Sequence, residues 1–171
     1  MTMPAAVAGA ISGLVATAPM TAAMLALDRA LPGNDREDLP PEQITEGIAE
    51  RAGIRDDLPE PATKGVTAIG HFGYGAAAGA LFGVTATRLP LPRALAGVAY
   101  ALAVWSVSYL GWVPAARLMP PAHQQPARRN AIMIASHVVW GASMGIALSA
   151  LAPPMACNSR AGSCWFQPRR S

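Results

Sequence analysis

His71-Phe72-Gly73-Tyr74-Gly75-Ala76-Ala77-Ala78-Gly79-Ala80-Leu81-Phe82-Gly83 is the run whose reading decides the fold. It lies inside a stretch, Gly65 to Thr87, that contains no Asp, Glu, Lys or Arg. A bilayer crossing needs roughly 20 apolar residues at about 1.5 Å each, and the stretch is long enough. His71, Gly75, Gly79 and Gly83 recur at every fourth position, so a helix places them on one face. That face is nearly bare of side chains and ends in an ionisable ring. The same pattern returns as His137, Gly141, Gly145 and Ser149.

The charges outside this run point the same way. All 10 acidic residues of the 171 fall between Asp28 and Glu60, and the 13 basic ones sit in that segment or just after it at Lys64, in two connections and in the tail. Four stretches stay almost uncharged: Met1 to Leu27, Gly65 to Thr87, Ala94 to Ala116, and Asn130 to Ala152. A soluble protein with buried Ala/Gly-rich helices would not need four stretches of membrane length in so short a chain. The sequence therefore predicts an all-α fold. It is a bundle of four transmembrane helices over about 4–27, 65–87, 94–113 and 130–152, forming one unit over residues 1–152. The polar connection 28–64 carries a short amphipathic helix, and residues 153–171 form a basic, disordered tail. The net charge of +3 comes from Arg residues flanking apolar segments, so membrane lipid is the expected partner and nucleic acid is not.

Within the first stretch, Gly9 and Gly13 form a Gly-x-x-x-Gly pair that lets a second helix approach closely. Pro19 removes a backbone donor there, and Thr17 and Thr21 are placed to satisfy the freed carbonyl. Met20 and Met24 read as packing residues. In the connection, Pro40-Pro41 opens a helix with Ile44, Ile48 and Ala52 on one face and Glu42, Glu46 and Glu50 on another, suited to the membrane surface or to capping the bundle. The clustered carboxylates lack the spacing of a calcium loop. Leu89-Pro90-Leu91-Pro92 is so short that the second and third membrane helices are expected to be antiparallel neighbours. Gly97 and Ala101 give the third helix a small face, Tyr109 and Trp112 suit an interfacial belt, and Trp105 suits packing or lipid. Cys157 and Cys164, the only cysteines, form neither a Cys-x-x-Cys motif nor a zinc spacing.

His71 and His137 each follow a basic residue, Lys64 and Arg129, by about two helical turns, which puts both rings at one depth, roughly 10 Å from one membrane surface. An ionisable residue at that depth is a functional candidate, because it usually faces the bundle interior or a watered cavity. Four readings are open. The pair could serve pH-responsive passage of protons or a small solute along the glycine faces. It could supply the axial ligands of a haem, making an electron carrier. A metal held by two histidines lacks further ligands, so no metal site is expected. In the plainest reading the rings hydrogen-bond across the bundle, Gly9, Gly13, Gly75, Gly79, Gly83, Gly141 and Gly145 pack helices, and the protein is a scaffold able to form homo-oligomers. No nucleophile with an adjacent base and no phosphate loop is present, so no enzyme and no catalytic residues are expected.

Several of these residues resemble the YagU-like family of small bacterial inner-membrane proteins, whose activity is unknown. The shared features are the Gly9-x-x-x-Gly13 helix, Gly70-His71, Leu118-Met119-Pro120-Pro121, and Ser136-His137-Val138-Val139-Trp140. The resemblance covers most of Gly9 to Leu151 and implies a bacterial inner-membrane location with four helices. It leaves the Ala-rich helices and the cysteine-bearing tail unexplained. Arg88 and Arg93 in a short loop, together with the resemblance, place both termini in the cytoplasm, with reduced cysteines.

Overall fold

The computed structural model describes residues 3–31, 39–55, 57, 59–151, 155–158 and 163–166. Six helices carry the fold: α1 (Ala5–Arg29), α2 (Pro40–Arg51), α3 (Glu60–Thr85), α4 (Arg93–Val107), the short α5 (Val113–Ala115) and α6 (Ala127–Leu151). Helix α4 runs into α5 through a π turn, Ser108–Trp112, so Arg93–Ala115 is one continuous rod. The expected tail falls largely outside the described residues. Among them, β1 (Met155–Asn158) and β2 (Ser163–Phe166) pair antiparallel, with Cys157 opposite Cys164.

Each helix begins where its chemistry permits. Proline residues precede or open α1, α2, α3 and α4, where a missing N–H breaks no helical bond. Glu60 and Lys64, one turn apart, form an exposed ion pair at 2.6 Å on the first turns of α3, which therefore starts earlier than the apolar run suggested. Arg117 takes a left-handed φ of 51° just beyond α5, which stops the rod and turns the chain. At the far end Arg93 donates from Nη1 to the Leu148 carbonyl at 3.1 Å, a cation on the last turn of α6.

Three helices are long and apolar enough to cross a membrane: α1, the Arg93–Ala115 rod and α6. Helix α3 matches them in length, but its glycines and His71 lower its hydropathy. Length and composition thus support three crossings, not the four expected.

The packing follows the glycines. Helix α1 lies against α3 on one side and α6 on the other, and α6 packs on α4. A Cβ at Gly79 would stand 2.7 Å from the Gly13 Cα, and one at Gly9 would stand 2.7 Å from the Gly83 Cα. Backbone therefore touches backbone along α1 and α3. On the other pair, a Cβ at Gly141 would lie 2.6 Å from the Gly97 carbonyl carbon, and one at Gly145 2.7 Å from the Ala94 Cα. Ala8, Ala16, Ala96 and Ala101 fill the spaces beside these contacts, with Phe82, Trp140 and Met144 as the bulky core.

One expectation holds with a qualification and one needs correcting. Helices α3 and α4, though joined by the short Leu89–Pro92 connection, barely touch along their backbones. Aromatic side chains stand between them: Phe82 lies 5.2 Å from Tyr100, and the Tyr100 hydroxyl donates to the Ala78 carbonyl at 2.8 Å. A short loop fixes how near two helix ends are, not how close the axes come. Around Pro19, Thr17 and Thr21 donate to the carbonyls of Gly13 and Thr17, each at 2.8 Å, and not to the Val15 carbonyl that the proline frees.

The glycine contacts yield a direct comparison. Gly79→Ala is expected to cost about 1–3 kcal/mol, because the methyl meets backbone that cannot move aside. Gly73 has open space where its Cβ would go, so Gly73→Ala should be neutral or stabilise by up to about 1 kcal/mol. Unfolding by SDS titration, followed by circular dichroism in mixed micelles, measures both, and an equal response would contradict the packing.

Candidate functional site: a cavity at the histidine end of the bundle

The glycine stripes end where larger side chains begin. On α1 the stripe passes from Gly13 to Thr17, Met20 and Met24, on α3 from Gly75 to His71, and on α6 from Gly141 to His137. Between these ends lies a cavity of about 400 Å³, at the small end of the range for small-molecule sites. His71 and His137 both line it. Helix α2 lines it too, through Ile44, Ile48 and Ala49. The apolar face of α2 was expected to run through Ile44, Ile48 and Ala52. The most buried positions are Pro40 and Ala49, while Ile48 is 54% exposed. Gly47 rests on Leu118, the turn after α5, where a Cβ would meet Leu118 Cδ2 at 3.3 Å. The amphipathic helix thus sits over the end of the bundle.

The two rings are held differently. His137 is buried, and its Nδ1–H donates to the Met133 carbonyl at 2.7 Å, which leaves Nε2 with its lone pair. The Tyr109 ring meets it edge-on, with centroids 6.1 Å apart. His71 Nε2 is buried and, among the described residues, has no hydrogen-bond partner. No hydrogen bond joins the two rings among the described residues, and no group of three or more His, Cys, Asp or Glu there is placed to hold a metal ion.

The glycines expected to accompany the histidines have other neighbours. Gly75, Gly79 and Gly83 lie against Thr17, Gly13, Gly9 and Ala5 of α1, and Gly141 and Gly145 lie against α4. Gly75 still reaches the cavity wall, but beyond it atoms fill these faces, so the cavity closes toward the glycine stripes.

Sequence reasoning missed several wall residues. Tyr109, assigned to an interfacial belt, is only 8% exposed, and its hydroxyl faces the Met133 sulfur at 3.8 Å. Trp105 stacks on it at 6.1 Å. The π turn sets Ser108 and Trp112 on the cavity wall, where the Trp112 Nε1–H donates to Ser108 Oγ at 3.2 Å and the Tyr74 hydroxyl lies 3.0 Å from the same atom. Such turns recur at functional sites. Nothing in the local sequence marks one, since Ser-Tyr-Leu-Gly-Trp continues an ordinary helical pattern. Trp140 donates from Nε1 to the Gly13 carbonyl at 3.2 Å, tying α6 to α1 beneath the cavity. Its place beside the glycine stripe was the one signal available.

Ser108 is therefore the joint between α3 and the π turn. Ser108→Ala removes both side-chain bonds and should lower stability by about 1–2 kcal/mol. Ser106→Ala, whose hydroxyl bonds only the Leu102 carbonyl of its own helix, should change little. Thermal unfolding in detergent compares the two, and equal midpoints would contradict the assigned role.

A family model described as "Protein of unknown function (DUF1440)" matches residues 20–146. The matched span includes Gly70-His71, Leu118–Pro121 and Ser136–Trp140, and begins after Gly9 and Gly13. It supports the resemblance at the level of an uncharacterised membrane-protein family and does not carry the YagU name. No curated protein and no solved structure matches the chain. With most of its length covered by that model and its long apolar helices in place, the chain is a small multi-pass membrane protein that belongs to the DUF1440 family.

Proposed function

We propose that this is a non-enzymatic binding protein of the bacterial inner membrane, which takes up one small, largely apolar molecule in the cavity lined by His71 and His137. The observation that carries the reading is that both imidazoles open on one cavity while most of the glycine faces meet backbone. Passage along those faces would need a path where the helices touch. A mostly apolar cavity with a few polar groups suits binding.

The reading includes α3 as a fourth crossing, with both termini in the cytoplasm and the α2 end, with the acidic segment, in the periplasm. The support is that α3 is as long as the other rods and packs antiparallel along α1. Alkaline phosphatase fused after Ala52 should be active and fused after Leu91 inactive. Activity at both sites would remove α3 as a crossing. The YagU-like resemblance favours the same location and orientation. The glycine stripes meet helices of the same chain, so a homo-oligomer would assemble through other faces.

The binding itself is tested with N-phenyl-1-naphthylamine, a neutral fluorophore that brightens in apolar surroundings, added to the full chain in detergent. Saturable binding near one molecule per chain is expected. Ala49→Trp on α2 and Val104→Trp on α4 both place bulk on the cavity wall, and each should weaken it roughly tenfold, about 1.4 kcal/mol. Absence of a saturable component, or equal binding by both variants, would leave the scaffold reading in its place. A Soret band in protein purified from haem-replete cells would replace the proposal with the bis-histidine haem reading.

A further inference from the structure

The hydrogen-bonding capacity of the cavity wall is unevenly used. Most of its polar groups have partners within the protein. Tyr74 and Trp112 share Ser108, His137 Nδ1–H bonds the Met133 carbonyl, and Thr17 and Thr45 bond the carbonyls of Gly13 and Pro41. One turn of α3 differs. Thr67 and His71 both line the cavity, and Thr67 Oγ1 and His71 Nε2 are both buried without a hydrogen-bond partner among the described residues. Four residues apart, they stand on one face of the helix. Buried polar atoms in proteins are nearly always paired, so two orphans on one turn beside a cavity call for an explanation. Each group sits on a rotor that can turn toward a guest, and each can donate or accept.

The rest of the wall restricts that guest. It contains no Asp, Glu, Lys or Arg, so a carboxylate or ammonium head would lose its water with no opposite charge to meet it. Met20, Met24, Ile44, Ile48 and Val104 offer contacts to hydrocarbon instead. A bare hydrocarbon would fill the space and leave Thr67 and His71 as they are.

We propose that the guest is a neutral, single-headed amphiphile, a medium-length hydrocarbon bearing one hydroxyl or carbonyl, whose head is held by Thr67 and His71. This rests on the binding reading above and names the class of molecule bound. The head lies at the α3 wall, and the chain extends among the methionines and the apolar face of α2.

The test uses the full chain in detergent with its three histidines labelled with ¹⁵N. His71→Gln and His137→Gln assign the ring signals, and the exposed His123 is the internal control. The probes share one chain length: decan-1-ol, decan-2-one, decane, decanoate and decylamine. The alcohol and the ketone should move the His71 ring signals saturably and leave His123 unmoved. The alkane and both charged probes should need several-fold higher concentration, and Thr67→Val should weaken decanol several-fold. Equal action by decane, preference for a charged head, or an unaltered response in Thr67→Val would overturn the assignment. If the same preparation binds the naphthylamine probe, the failure belongs to the head-group assignment. If it binds neither, the binding reading itself has failed.

Discussion

Contact between the backbones of α1 and α3 is the constraint on which the rest of this structure depends. In a membrane, lipid tails are as apolar as the side chains, so helices associate through close packing and hydrogen bonds, not through escape from water. Gly9 and Gly13 against Gly79 and Gly83 bring two helices as close as a chain allows, and Gly97 against Gly141 does the same for α4 and α6. Helix α1 also packs on α6, where Trp140 reaches the Gly13 carbonyl. That carbonyl also accepts from Thr17 Oγ1, so one oxygen at the crossing of three helices carries bonds from two side chains.

The cavity is what remains where this close packing stops. Replacing glycine by threonine, methionine and histidine along the same stripes brings side chains into the seam at the α2 end. The core divides accordingly. One cluster, around Phe82, Trp140 and Met144, belongs to the tight end, and a second, around Met24, Tyr109 and Met133, belongs to the end under α2. Aromatic rings keep α3 and α4 apart over the same length. A bundle tight at one end and spaced by rings and α2 at the other holds a pocket under α2 that the glycine contacts close on their side.

Much of this architecture can be read from the chain. The charge-free stretches locate the rods, the prolines at 40 and 41 locate α2, and Met20 and Met24 lie buried as their spacing suggested. What periodicity cannot supply is the partner of a face. Gly75 and Gly79 could have met any small stripe, and only the fold shows that it is that of α1. Composition also sets α3 apart from the other rods, because its glycines and His71 lower its hydropathy while its first turns carry Glu60, Lys64 and Thr67. The apolar run therefore drew attention to His71 and away from the residue one turn before it. Tyr109 shows a third limit. An aromatic near a helix end reads as an interfacial anchor, but the π turn and the His137 ring draw it into the core. A π turn depends on which carbonyl each N–H selects, and that choice is made by packing across the bundle.

The measurement that tests the central contact most directly is a solid-state NMR distance, in lipid bilayers, between selectively labelled Gly13 and Gly79 Cα atoms. The account predicts carbons near van der Waals contact, about 4 Å apart. Helix axes at the ordinary spacing of about 8–10 Å, with no Gly13–Gly79 transfer, would contradict it, and with it the division of the bundle into a sealed end and a cavity.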